Sequence, residues 1–200
     1  MRLGTWFGSL VLACAALAAD VERGKSLLQS RDFKAAESEM QQVVSSDTEN
    51  APALRYLGIA RIHLGKNGEA VQDLKKAAAL DGGTADSRYA LALAQIEDKQ
   101  FGEAETTLRE AEQAQGDHPD RQSVQGAWFA AQKRFKEAVE PLEAAVAARP
   151  DDAISHYYLG LAYSSLRRPD KMIKHFEQFL RLEPDSPNAN RVKTFLRGVR

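Results

Sequence analysis

Residues 51–84 read APALRYLGIARIHLGKNGEAVQDLKKAAALDGGT, and the spacing of their apolar positions decides the fold. Leu54, Leu57, Ile59, Ala60, Ile62 and Leu64 recur at helical intervals. Gly65-Lys66-Asn67-Gly68 breaks that pattern. Ala70, Val71, Leu74, Ala77, Ala78 and Leu80 resume it until Asp81-Gly82-Gly83 stops it. Two short helices joined by a tight turn make an antiparallel helical hairpin. No stretch of the chain sustains a period of two, so the expected fold class is all-α.

The same hairpin recurs every thirty-four residues without insertion or deletion. Gly24, Gly58, Ala92, Gly126 and Gly160 form one column, and Ala36, Ala70, Ala104, Ala138 and Met172 a second. Phe33, Phe101 and Phe135 share a third with Asn67 and Pro169, at the turn between the helices. Met40, Leu74, Leu108, Leu142 and Phe176 form a fourth. Agreement of several independent columns over five units is the mark of a repeat array. A small residue in the first column lets the two helix axes of a hairpin approach. Ala104 and Ala138 are accordingly expected between two helices. A single hairpin cannot bury its apolar face, so neighbours must stack and the end must be capped. Val192, Phe195, Leu196 and Val199 give residues 187–199 one apolar face, and that segment is the expected capping helix.

These columns resemble the tetratricopeptide repeat family over about residues 20–186. The closest matches are Leu57-Gly58, Leu159-Gly160-Leu161-Ala162-Tyr163, Phe101-Gly102-Glu103-Ala104, Phe135-Lys136-Glu137-Ala138 and Leu182-Glu183-Pro184. The resemblance implies a right-handed superhelix, an α-solenoid of five helix-turn-helix repeats. The units fall at about 20–50, 51–84, 85–118, 119–152 and 153–186. It also implies a non-catalytic scaffold that binds a peptide or protein segment in its concave groove. The first helix of the fourth unit departs most from the pattern, with Gln125 in a leucine column and Trp128 in a small-residue column.

The resemblance assigns Arg55, Ile59, Tyr89, Leu93, Tyr157 and Leu161 to the groove, with His63, Glu97, Ala131 and Ser165 along its rim. Tyr56 and Tyr158 lie close by, either in the groove or packed between repeats. Tyrosine offers large contact area at little entropic cost and keeps a hydroxyl for hydrogen bonding. The chaperone-tail clamp of some family members is not expected, because Arg55 and Lys25 are the only basic residues on the equivalent lines and no asparagine joins them.

Met1 to Ala19 reads as a targeting segment: one basic residue, seventeen uncharged ones from Leu3 to Ala19, then Asp20. Three fates stay open. The segment is cleaved after Ala18 or Ala19, or lipidated at Cys14 in Leu12-Ala13-Cys14, or retained as an anchor at the short limit of membrane-spanning length. Each makes residues 20–200 an exported domain, periplasmic or membrane-associated, with a membrane tether through the N-terminus in the last two cases. An envelope complex is the plausible setting.

The composition narrows the function further. Twenty-seven Lys and Arg against 28 Asp and Glu give a net charge of −1, without the basic excess of a non-specific nucleic-acid binder. One cysteine makes neither an internal disulfide nor a cysteine-rich metal site. Phosphate-cradling glycine loops, HExxH pairs and nucleophile elbows are missing from the sequence, so no cofactor, metal or catalytic residue is expected. His118, in Asp117-His118-Pro119-Asp120, is expected to face solvent. His156 and His175 are expected in ordinary packing or surface roles. The expected partner is a protein or peptide and not a nucleic acid. The alternatives are a module that self-associates through its ends, or a non-catalytic subunit of an enzyme complex; the oligomeric state is not readable.

Overall fold

Eleven helices follow one another among the described residues, 18–198, of the computed structural model. Helix α1 covers 18–29. It is followed by α2 (Phe33–Ser46), α3 (Ala51–His63), α4 (Asn67–Leu80), α5 (Ala85–Glu97) and α6 (Phe101–Ala114). Then come α7 (Arg121–Ala131), α8 (Phe135–Ala148), α9 (Ala153–Ser165), α10 (Pro169–Leu182) and α11 (Ala189–Arg197). Helices α3 to α10 pair as four hairpins, the first helices of neighbouring units (α3, α5, α7, α9) pack side by side, and α11 closes the end of the stack on α10. Helices α1 and α2 form a fifth hairpin, with Gly24 against Met40. The result is an α-solenoid with no strand among the described residues. Both the targeting segment up to residue 17 and Cys14 lie outside the described residues.

One turn closes every hairpin. In the second unit the Gly65 N–H donates to the Ile62 carbonyl and the Lys66 N–H to the Arg61 carbonyl. The same pair of bonds recurs at Arg31 and Asp32, Lys99 and Gln100, Lys133 and Arg134, and Arg167 and Arg168. This double bond is a C-terminal helix stop that needs one residue with positive φ. Gly65 supplies it at 74°, whereas Arg31, Lys99, Lys133 and Arg167 adopt 57–64° with a side chain in place. The next helix then starts two residues on, at Phe33, Asn67, Phe101, Phe135 or Pro169. The third column of the sequence is thus the first residue of each second helix.

The small column works by close approach. A methyl group built on Gly58 would meet Leu74 Cγ at 2.5 Å, one on Gly126 would meet Leu142 Cγ at 2.4 Å, and one on Gly160 would meet the Phe176 ring at 2.2 Å. The third unit carries Ala92 in this column. Its partner Leu108 keeps 7% of its surface exposed, while Leu74 and Leu142 keep none. A looser pair therefore accommodates the extra methyl. Ala36, Ala70, Ala104 and Ala138 are completely buried on the facing helices, and Met172 nearly so.

Unit four begins late, for a local reason. Asn50, Thr84 and Asp152 cap α3, α5 and α9 through side-chain oxygens that accept the N–H of Ala53, Ser87 and Ser155. His118 occupies the corresponding place before α7. Helix α7 starts at Arg121 instead and runs 11 residues where the other three run 13. Its register survives through Gly126. The Trp128 side chain spans the gap to the previous unit, its Nε1 donating to the Phe101 carbonyl at 3.3 Å.

Candidate functional site

The solenoid curves until its ends meet across the concave side. Arg31, in the first turn, donates through Nη1 to Glu183 Oε1 at 3.2 Å and through Nη2 to the Asp151 carbonyl. His63 Nδ1 lies 2.9 Å from the same Glu183 oxygen. The Phe33 ring stacks on His63 at 4.1 Å, and Pro187 abuts the Gly65 turn. Residues 120 to 152 positions apart in sequence are thereby clasped together. Glu183 is buried, and a buried carboxyl group needs hydrogen-bonding or charged partners, which Arg31 and His63 supply here.

The clasp divides the trough in two. Ile62, His63 and Ile154 border both chambers and form the partition. The larger chamber, about 780 Å³, lies on the side of the hairpin turns. Its walls include Ile96, Phe101, Phe135, Tyr157, Leu161 and Phe179, and all four rim residues (His63, Glu97, Ala131, Ser165) line it. The smaller chamber, about 320 Å³, contains Ile59, Tyr89 and Leu93. The six groove residues assigned from sequence are therefore split. Ile59, Tyr89 and Leu93 face one chamber and Tyr157 and Leu161 the other. Arg55 lines neither; its Nη1 pairs with Asp86 Oδ2 at 2.5 Å and its guanidinium lies over Tyr56.

Two expectations need correction. Tyr89 is not an open groove tyrosine: it has no exposed surface, and its hydroxyl is buried without a hydrogen-bond partner. Nor does His118 face solvent. Its ring stacks on Tyr89 at 4.7 Å, its Nε2 donates to Asp86 Oδ1 at 2.9 Å, and its Nδ1 accepts the Asp120 N–H. The histidine that delays α7 is the lid that buries Tyr89. With Arg55 it also holds the Asp86 carboxyl below its ordinary pKa, the His118 hydrogen bond being the largest cause. Tyr157 is also more occupied than expected: its hydroxyl donates to Asn188 Oδ1 and accepts from Arg191 Nη1, both at 3.2 Å. Tyr158, for which groove and packing were both open, is buried against the larger chamber, and its hydroxyl donates to Glu97 Oε1 at 2.7 Å.

Burial pushes the Glu97 carboxyl above its ordinary range, against the opposing pull of the Tyr158 hydrogen bond and of His63. Burial likewise raises Tyr158 well above the usual phenol value. Glu97 thus has a hydroxyl as its one side-chain hydrogen-bond partner among the described residues.

His156 and His175 form a second buried cluster on the far side of α9. His156 Nε2 must donate to the Pro150 carbonyl, 3.0 Å away, because that oxygen only accepts. Its Nδ1 therefore accepts from His175 Nδ1, also at 3.0 Å, and both rings are neutral. Burial lowers both pKa values, that of His175 to about 4. The pair performs packing; no group of three or more His, Cys, Asp and Glu is placed to hold a metal among the described residues. None of the described helices is long and apolar enough to cross a membrane.

Glu183 and Arg31 were not legible as site residues. Glu183 occupies the helix C-cap position held by Asp47, Asp81, Gln115 and Arg149 in the other units, so its column gives no warning. Arg31 reads as one of several turn cations.

Comparison with known proteins agrees with this architecture. Two family models, each described as tetratricopeptide repeat, match the chain, one over residues 61–127 and the other over 21–84 and 129–187. Curated proteins give no match. Among solved structures the chain is similar to a thermophilic TPR protein of Thermus thermophilus, with 18% identity and a TM-score of 0.67 over 90% of this chain and 99% of that one. It is also similar to the human IFIT1 dimer, with 19% identity and a TM-score of 0.69, covering 90% of this chain and 45% of that one. The MamA protein aligns at 23% identity and a TM-score of 0.51, over 87% of this chain and 94% of that one. At these identities the solved structures establish the fold alone. Family-model matches over more than half the sequence, together with five stacked hairpins closed by one repeated turn, show that the chain belongs to the tetratricopeptide repeat family, whose fold serves as a generally non-catalytic scaffold for protein–protein interaction.

Proposed function

We propose that this scaffold holds a partner's peptide segment on its concave side, with the larger chamber as the principal seat. The observation that carries the reading is that chamber: about 780 Å³ of concave space whose walls combine aliphatic and aromatic side chains with a few charged and polar ones, in a fold suited to protein recognition. Elsewhere the described surface offers little to grip, since Leu80 is its only exposed large apolar residue. That favours the trough over self-association through apolar end faces. The near-zero net charge supports a protein partner over a nucleic acid. We read Met1–Ala19 as the segment that delivers the scaffold to the periplasm or a membrane, where an envelope complex is its setting.

Filling the chamber tests the reading. Ser165 lines it and is exposed, so Ser165→Trp obstructs the space without removing a core contact. Wild-type protein should retain a partner from a native extract and the variant should lose it, with equal helical circular dichroism. Equal retention by both would exclude the chamber. The mass of the mature N-terminus tests the delivery reading separately.

A further inference from the structure

The larger chamber has an internal charge pattern. At depth are acceptors short of donors. Glu97 receives one hydrogen bond, from the neutral Tyr158 hydroxyl. Asn67 spends its amide nitrogen on the Glu97 backbone carbonyl, which fixes the amide orientation and leaves Oδ1 buried without a partner. Glu183, the other carboxylate there, is already matched by Arg31 and His63. His63 and Arg191 also line the chamber but are engaged with Glu183 and with the Tyr157 hydroxyl, so Glu97 is the carboxyl there without an ion-pair partner among the described residues. Aromatic rings of Tyr157, Tyr158, Phe101, Phe135 and Phe179 stand around this space, and ring faces attract cations. At the mouth the sign reverses. Lys99 and Lys133 line the chamber from exposed turn positions and have no ion pair or hydrogen bond through their side chains among the described residues.

We propose that the larger chamber receives a single lysine or arginine side chain of the partner segment, its cationic head on Glu97 and the carboxylates flanking it on Lys99 and Lys133. The inference rests on the reading of the trough as a peptide site and specifies the peptide. A cation at depth supplies the charged donor that the Glu97 carboxyl lacks. The long alkyl stem of either residue suits the apolar walls. Cations at the mouth exclude a run of basic residues and select one base between acids.

The test uses a fluorescein-labelled nonapeptide with one central lysine between two pairs of glutamates, titrated by fluorescence anisotropy. A second peptide carries norleucine in place of the lysine. A charge-assisted hydrogen bond to the Glu97 carboxyl predicts a loss of about ten- to a hundredfold in affinity for the norleucine peptide. Glu97→Gln should produce the same loss for the lysine peptide and none for the norleucine peptide. Gln keeps an acceptor for Tyr158, so the variant's melting curve should match the wild type and a folding defect is separable. Lys99→Ala with Lys133→Ala should weaken the lysine peptide and make its binding less salt-sensitive. Equal affinity of the two peptides, an unaffected Glu97→Gln variant, or no saturable binding up to about 1 mM overturns the inference. If Ser165→Trp still abolishes partner retention in that event, the trough reading stands without the lysine; if both fail, the trough itself is excluded.

Discussion

One methyl group at Gly160 probes how tightly the hairpins are closed. On the wild-type backbone an alanine Cβ there would lie 2.2 Å from Phe176 Cδ1 and Cε1, far inside van der Waals contact. Phe176 cannot yield easily: it is fully buried, with Phe195 of the capping helix at 5.4 Å between ring centroids. Forcing a methyl into a core costs about 1–3 kcal/mol, and a 2.2 Å approach to a ring with no room to move belongs to the upper part of that range, about 2–3 kcal/mol, while replacing Gly by Ala inside a helix returns about 1 kcal/mol. Gly160→Ala should therefore destabilise by about 1–2 kcal/mol, or lower the melting temperature by about 2–8 °C for a chain of this length. Gly24→Ala is the control. Its new methyl would meet Met40 Cε at 2.3 Å, the far end of an adaptable side chain, so its net effect should be close to zero. Thermal melts by circular dichroism and urea titrations measure both. A Gly160→Ala variant as stable as the wild type, or more so, would refute the packing argument and with it the assigned pairing of helices.

Other perturbations reach different parts of the molecule. Glu183→Ala removes the shared partner of Arg31 and His63, so small-angle scattering should show a larger radius of gyration; an unchanged radius would mean that the clasp does not hold the ends together. The His156–His175 pair makes stability depend on pH. Both pKa values fall below the ordinary 6.5 on folding, His175 to about 4, so the unfolded chain binds protons first. Stability from the pair is fully present above about pH 6.5 and declines toward pH 4, by about 1–2 kcal/mol after allowance for solvent screening. Chemical denaturation at pH 7 and 4.5 measures it, and a profile no steeper than that of a His156→Gln, His175→Gln double variant would contradict the assignment. Lys133→Gly relieves a left-handed residue that lacks an ion pair and should stabilise by a few tenths to about 1 kcal/mol; destabilisation would show that the side chain contributes where it stands.

Periodicity alone determined the hairpins, their number and their pairing through small and large columns, whereas the rim residues followed only from the family resemblance. Each follows from side chains meeting others sixteen or thirty-four positions away, and such local relations repeat visibly. Ala104 and Ala138 could be placed between helices for that reason. What the tertiary structure decided is how far the array bends. The angle between one hairpin and the next depends on the sizes of a few packed side chains, and small differences accumulate over successive steps. That accumulated bend brings Arg31 to Glu183 and splits one groove into two chambers, and neither residue's column distinguishes it beforehand. Tyr89 shows the same division on a smaller scale. Its column put it on the concave face, but a histidine standing where other units carry a helix cap shortened α7 and closed over its ring.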